Sequence, residues 1–355
     1  MSSQQNSITY FANSLQIASR FHLVKNLSNN NEYKPKEGEG LPKFFTSALF
    51  RQTFRSGLLL VRSTNMARIT QKNKVWTIEG PGTLIATSDL HGNMQDFLQL
   101  VSIFEAEEDA VFLSLGDLFH GPKPLPREWS NHYLYQGRYY EDESVELMWA
   151  FLELQKKYPD RVGALIGNHE HAHVGGPLVR KFHPDESGFM ESNLDEDGCR
   201  ILRELINSSA LIATSNAGIA FTHGAPTPFP FTRRTLKEMR YAGYEFMSIA
   251  ELYETSLLGG LLWRRSASEE ETCTFLRHLN DIGDYPFSSV VVYGHDPSEL
   301  GYSVENNHLL NLSTSFWTLK EHKKYLRISL DDIFFCTQDI FLGTHLLPLY
   351  PEFAV

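Results

Sequence analysis

The chain has 355 residues, 32 of them Lys or Arg and 43 Asp or Glu, for a net charge of −11. At 42% hydrophobic and 21% charged residues it can bury a real core, which excludes a disordered chain, and its acidic balance excludes a general nucleic-acid binder with a basic footprint. With 14 His and only 3 Cys, a metal site here would be built from imidazole and carboxylate, not from a thiolate cage.

The length allows one large domain or two smaller ones. Residues 1–75 differ in texture from the rest of the chain and read as an N-terminal extension, partly helical. Within it, 26–40 (NLSNNNEYKPKEGEG) is a polar linker, and 42–66 mixes apolar and basic residues at helical spacing. That spacing suits a helix packed on the main domain; a membrane-surface helix is the sharper alternative. No apolar run reaches the roughly 18 residues of a membrane span, and Leu58–Val61, between Arg55 and Arg62, is far too short. The N-terminal segment lacks a basic stretch followed by an apolar one, so no secretory signal is read. Cys199, Cys273 and Cys336 make no C-x-x-C pair and no disulfide framework, and read as reduced thiols. The expected location is the cytoplasm, with export by a route that leaves no such signal still open.

Residues 76–355 read as the main domain. Short apolar runs that end in small or polar residues fit buried strands: Thr83–Thr87, Ala110–Leu115, Val162–Ile166, Ile219–Thr222 and Val290–Tyr293. Helices are expected between them, at Met94–Phe104, Ser144–Lys157, Arg200–Asn207 and Thr235–Leu252. Leu309–Leu312, Tyr325–Leu330 and Ile333–Thr337 read as consecutive strands, so the sheet content is mixed. This alternation predicts an α/β fold. The Pro- and Tyr-rich stretch 122–143 reads as a long surface loop.

The residues just past each central strand carry the chemistry. The runs lead into Ser88-Asp89-Leu90-His91-Gly92-Asn93, Gly116-Asp117, Gly167-Asn168-His169-Glu170, His223-Gly224 and Gly294-His295. In an open α/β sheet, ligands bind at the carboxyl ends of the strands. Any one of these residues alone is an ordinary helix cap or a hydrogen-bonded histidine. Together Asp89, His91, Asp117, Asn168, His223 and His295 form an oxygen and imidazole set suited to Mn, Fe or Zn, and six ligands sharing one carboxylate suit two adjacent ions.

The ordered series D-x-H-G, G-D, G-N-H-E, H-G and G-H resembles the calcineurin-like metallophosphoesterases. It looks closest to the phosphoprotein phosphatase branch that includes the serine/threonine phosphatases. The spacing from Asp89 to Asp117 is similar to the family's. FTHGAPTP (221–228), LLWRRS (261–266), GYS (301–303) and NLSTSF (311–316) resemble further segments of that branch. Position 297 is Pro, so the second His of the G-H-x-H of many phosphodiesterases is absent. The resemblance spans about residues 80–330 and implies a fold of two packed mixed β-sheets flanked by helices. It also implies a catalytic domain over 76–355, with 122–143 as an insertion near the rim of the site. By this resemblance Asp89 and His91 hold one divalent metal, Asp117 bridges, and Asn168, His223 and His295 hold the second. Manganese is the first expectation, with iron or zinc as alternatives. His169 is then the general acid. Two metals about 3.5–4 Å apart activate a hydroxide that attacks phosphorus, and an imidazole titrates where the leaving group needs a proton.

The second motif departs from the family. The family's G-D-x-x-D-R-G reads here Gly116-Asp117-Leu118-Phe119-His120-Gly121-Pro122. The Asp that orients the catalytic His is replaced by His120, and the Arg that grips phosphate by Gly121. Arg264 and Arg265 are the first candidates for the clamp, with His120 also counted among possible substrate-binding residues, and Arg127 and Arg138 the second choice. A competing pattern is His169-Glu170-His171-Ala172-His173, the H-E-x-x-H of zinc proteases with Glu191 as a conceivable third ligand. It leaves the other strand ends unexplained, and His171 and His173 then read as rim or supporting residues. The expected reaction is hydrolysis of a phosphate monoester, phosphoserine or phosphothreonine on a protein first. Phosphotyrosine, dinucleoside polyphosphates and small phosphoesters are the alternatives, and a non-catalytic phosphate-binding module is the remote one. The oligomeric state is not legible.

Overall fold

The computed structural model describes residues 66–122 and 140–354. The expected linker at 26–40, all but the last residue of the helix at 42–66, most of the 122–143 loop, Arg127 and Arg138 lie outside the described residues.

The described chain opens on a hairpin of β1 (Arg68–Lys72) and β2 (Val75–Glu79), turned at Asn73, whose φ of 60° is one asparagine tolerates. β3 (Thr83–Thr87), β4 (Val111–Ser114) and β5 (Val162–Ala164) then run parallel, with α1 (Met94–Glu105) and α2 (Ser144–Lys157) in the crossovers. α3 (Asn168–His171), α4 (Glu186–Ser192) and α5 (Glu196–Ser208) lead to β6 (Ile212–Ser215) and β7 (Ile219–Thr222). Four helices come next: α6 (Arg233–Glu238), α7 (Ile249–Thr255), α8 (Leu257–Trp263) and α9 (Glu269–Asp281). The chain ends in β8 (Val290–Tyr293), β9 (Tyr302–Asn306), β10 (Leu309–Leu312), β11 (Lys324–Ser329) and β12 (Leu346–Pro348). Among the described residues seven strands make one mixed sheet, in the order β1-β2-β6-β7-β8-β10-β9, and five make the other, β12-β11-β3-β4-β5. This is the expected architecture of two mixed sheets flanked by helices.

The central strands are apolar at consecutive positions because each face meets a different layer. Leu84 and Ala86 of β3, Val111 and Leu113 of β4, Ile219 and Phe221 of β7, and Val290 and Val292 of β8 fill the space between the sheets. The alternate residues Ile85, Phe112, Ala220 and Val291 turn outward onto the helices, where Phe97, Phe104, Phe151 and Phe275 cover them. All of these side chains are at most 1% exposed.

Three expectations are corrected. β1 lies inside the stretch assigned to the extension, and its antiparallel register with β2 carries it into the seven-stranded sheet. The single helix expected over Thr235–Leu252 is two short helices, α6 and α7, parted by an irregular segment where Gly243 has φ 102°. Ile333–Thr337 is no strand: Ile333 and Phe335 point into solvent, and the Asp339 carboxylate accepts the backbone N–H groups of Phe335 and Cys336 and turns the chain.

A buried ionic knot fastens the site loop to the scaffold. At the start of α1, Asp96 Oδ2 accepts hydrogen bonds from Lys323 Nζ, from Ser315 Oγ at 2.5 Å and from Asn93 Nδ2 at 3.0 Å, while Oδ1 accepts the Tyr350 hydroxyl at 2.8 Å. Asp96 and Lys323 are at most 2% exposed. Removing one charge strands the other in the core. Asp96→Ala is therefore expected to lower unfolding stability by roughly 3–5 kcal/mol, read by urea titration.

Candidate active site

The six candidate ligands lie where the strand ends of both sheets converge, and all are buried, none more than 7% exposed. Asp89 and His91 follow β3, Asp117 follows β4, Asn168 opens α3 beyond β5, His223 follows β7 and His295 follows β8. Sharp turns aim them inward. Asp89, His91, Asp117 and His295 have φ of 52°, 47°, 52° and 68°, half of the eight positive-φ non-glycine residues among those described. Such conformations cost energy in an L-residue and mark places where side-chain position outweighs local comfort. Backbone bonds tie the turns together: His91 N–H donates to Asp117 O at 2.8 Å, and Asp89 N–H to Gly116 O at 3.2 Å.

Asp117 stands at the centre. Its Oδ2 lies 3.5 Å from His91 Nε2, 3.5 Å from His223 Nε2 and 3.9 Å from His169 Nε2, while its Oδ1 accepts the His169 N–H at 3.1 Å. Two groups of donor atoms share it: His91, Asp117 and His169 on one side, Asp117, His223 and His295 on the other. Burial alone would raise the Asp117 carboxyl, but the surrounding His223, His169, His91 and His295 hold it far below the usual carboxylate range. Asp89 sits at the edge, with Oδ1 4.0 Å from His91 Nε2 and both oxygens accepting the His295 N–H at 2.9 and 3.2 Å. Burial raises its carboxyl.

The donor chemistry fits a metal. His91 Nδ1 lies 2.9 Å from the carbonyl oxygen of His120, and His223 Nδ1 2.9 Å from that of Leu115. A carbonyl only accepts, so each Nδ1 carries a proton, which leaves the Nε2 atoms that face Asp117 as the ones placed to ligate a cation. Burial keeps His91 and His295 neutral by lowering both well below the ordinary histidine value, as ligation requires. His295 Nε2 is buried with no hydrogen-bond partner, an orphan that a cation would satisfy. Asn168 Oδ1 lies 2.9 Å from His223 Nε2, the separation of neighbouring ligands at bond lengths of about 2.1 Å.

His169 is held by a residue that the motifs do not include. Its Nδ1 is 2.6 Å from Glu186 Oε2, on α4, and Glu186 is 3% exposed. The other carboxylate oxygen accepts the backbone N–H groups of Lys181 and Phe182 at 2.5 and 2.7 Å. Burial would raise Glu186, but the His169 contact and these N–H groups bring it below the ordinary value. Nothing around HPDESG (183–188) announces this role; only packing brings it to His169. His120, at the family's Asp position, does not take it. Its ring stacks on His169 at 6.0 Å, and its Nε2 is 2.9 Å from His173 Nε2, whose Nδ1 is 2.9 Å from Glu191.

These contacts also correct the zinc-protease reading. Glu170 is spent on three backbone N–H groups, those of Asp117 and Gly167 at 2.9 Å and of Phe119 at 3.1 Å. His173 pairs with His120 on one side of its ring and with Glu191 on the other, and α3 ends at His171. His171 Nε2 bonds the Tyr241 carbonyl at 2.8 Å.

Of the clamp candidates, Arg264 is turned to Glu271 at 2.7 Å. Arg265 borders the site, 2.7 Å from Asp296 Oδ1 and 3.5 Å from the His295 carbonyl. Gly121 is forced: a Cβ built there would collide with the carbonyl oxygen of His91 and press on Asp142. Gly121→Arg is thus expected not to restore a family-like clamp but to destabilise the protein by about 1–3 kcal/mol, seen as a lower melting temperature.

Residues 82–314 match the model of the calcineurin-like phosphoesterase family, and the chain belongs to that family. It is a hydrolase of phosphate esters in a metal-dependent family, and its His and Asp clusters are able to hold metal ions. Three solved structures are among those that this chain partly resembles. A protein serine/threonine phosphatase from Saccharomyces cerevisiae is 16% identical, with a TM-score of 0.46, covering 66% of this chain and 68% of that one. A cold-active protein-tyrosine phosphatase of a Shewanella species is 18% identical, with a TM-score of 0.46, covering 74% and 81%. A putative diadenosine tetraphosphatase is 17% identical, with a TM-score of 0.35, covering 72% and 92%. None of the described helices is long and apolar enough to cross a membrane.

Proposed function

We propose that the chain is a phosphomonoesterase that removes phosphate from serine or threonine side chains of proteins. Asp117 would bridge two divalent ions, with Asp89 and His91 on one side and Asn168, His223 and His295 on the other. Manganese is the first choice for this neutral-imidazole and oxygen set, with iron or zinc next. When bound, such ions polarise the phosphate and lower the pKa of a water between them.

The observation that carries the reading is the His169–Glu186 pair beside Asp117. A serine alkoxide is a far poorer leaving group than a phenolate, so its departure needs a proton delivered on time. His169 can deliver one from Nε2 while Nδ1–H donates to Glu186, whose anionic carboxylate compensates the charge of a ring protonated on both nitrogens.

A second reading rests on its own observation. Phe182 and Phe316 meet at 5.3 Å and flank His91 and His169, an aromatic lip suited to a phosphorylated tyrosine ring. Parallel assays on phosphoserine, phosphothreonine and phosphotyrosine peptides, with a dinucleoside polyphosphate as a fourth substrate, decide between them. The first reading expects the highest kcat/KM on phosphoserine or phosphothreonine. Preference for tyrosine or for the dinucleotide overturns it, and bound metal with no turnover at all supports a non-catalytic phosphate-binding module.

A further inference from the structure

We propose that Lys181 is the phosphate-gripping cation of this site, taking over the task that position 121 has no room to perform. The inference rests on the phosphatase reading above and names the residue that gives it affinity for the substrate's phosphoryl group.

A doubly charged phosphoryl group is gripped by a fixed cation in addition to metals. Gly121 admits no side chain, Arg264 is committed to Glu271, and Arg265 is committed to Asp296. Lys181 stands where that cation is needed. Its Nζ lies 4.1 Å from the centre of the Phe316 ring and 4.9 Å from that of Phe182. Those rings rest directly on the cluster: Phe316 on His91 at 4.6 Å, and Phe182 on His91 at 5.3 Å and on His169 at 5.6 Å. The ammonium is therefore held above the imidazoles by two ring faces, a placement favoured electrostatically. Among the described residues Lys181 has no ion pair; burial lowers the pKa of its amine, while the carboxylates of Asp117, Asp89 and Glu186 favour its charge and the neighbouring Arg265 opposes it. A cation with no dedicated anion, standing over a buried cluster in an acidic protein, has its donors free for an incoming anion.

The backbone explains why the lysine is not merely a mobile surface residue. The N–H groups of Lys181 and Phe182 both donate to Glu186, whose other oxygen holds His169. On the opposite side, Phe316 N–H donates to Asp89 O at 3.0 Å. One carboxylate thus fixes both the lysine-bearing lip and the proton donor. As a compact point charge with three donors, an ammonium suits the non-bridging oxygens of a phosphate whose ester side varies.

The experiment uses the metal-loaded full chain, p-nitrophenyl phosphate as substrate and inorganic phosphate as competitive inhibitor. K181M is expected to raise KM and the phosphate Ki by about 10- to 100-fold, the loss of one or two charge-assisted hydrogen bonds. Metal content and melting temperature should match the unmodified chain, and K181R should recover most of the affinity. In the unmodified protein, phosphate should protect Lys181 from acetylation by acetic anhydride, read by mass spectrometry, a measurement independent of any variant. A phosphate Ki for K181M within twofold of the unmodified chain, or no protection, overturns the assignment. Failure of the parent reading looks different: the unmodified, metal-loaded chain would turn over no phosphate monoester, whatever residue stands at 181.

Discussion

Asp117→Asn is expected to lose bound metal and to cut turnover of p-nitrophenyl phosphate by on the order of a thousandfold or more, about 4 kcal/mol of barrier. The substitution is chosen to leave the fold alone. Asn keeps the shape of Asp and is among the residues that tolerate the φ of 52° at this position, and the backbone N–H keeps its bond to Glu170. What disappears is one negative charge, at the point where the Nε2 atoms of His91, His223 and His169 gather within 3.5 to 3.9 Å. Among the described residues, no other carboxylate is shared by both donor groups. Elemental analysis of the purified variant, beside a melting curve to show that it is folded, gives the answer. A folded variant that keeps two equivalents of metal and stays within tenfold of normal activity would refute the bridging role.

Glu186→Gln is expected to lower kcat on a phosphoserine peptide by about 10²–10³-fold while costing less than about tenfold on p-nitrophenyl phosphate. The contrast has a geometric cause. A Gln carbonyl can still accept the Lys181 and Phe182 N–H groups, so the lip stays in place. Facing His169 Nδ1, however, is now a neutral amide instead of the carboxylate 2.6 Å away. His169 loses the partner that orients it and balances its charge. An alkoxide leaving group suffers from that loss, whereas p-nitrophenolate departs without a proton. Metal content should not change, and Glu186→Asp should recover part of the rate on the peptide. An equal loss on both substrates would mean that Glu186 only supports the loop.

The central strands were legible for a simple reason. Thr83–Thr87, Ile219–Thr222 and Val290–Tyr293 are buried on both faces, so burial writes an unbroken apolar run into the chain. The residues just past them were legible because a turn that must aim a side chain into a buried cluster uses Gly, Asp, Asn and His in a narrow order. The edge strands were harder. β1 is largely exposed and β9 only half-buried, neither carries such a run, and β12 spans only three residues. The failed strand at Ile333–Thr337 shows the converse, since its apolar residues Ile333 and Phe335 stand in solvent.

By itself, then, the sequence marked the central strands, the six side chains just past them and the histidine beside them, because each of these depends on residues close together in the chain. The two-sheet arrangement was legible only through the resemblance to the family, since its strands pair across long separations. It did not determine who completes the site. Glu186 lies 2.6 Å from His169 only because the segment after α3 folds back over the cluster, and Lys181 and Phe316 meet from segments far apart in the chain. Position 121 is glycine because of the carbonyl of His91, a neighbour that only the packed structure supplies. Contacts across such separations leave no local pattern, since what selects the residue is the shape and charge of its surroundings in space.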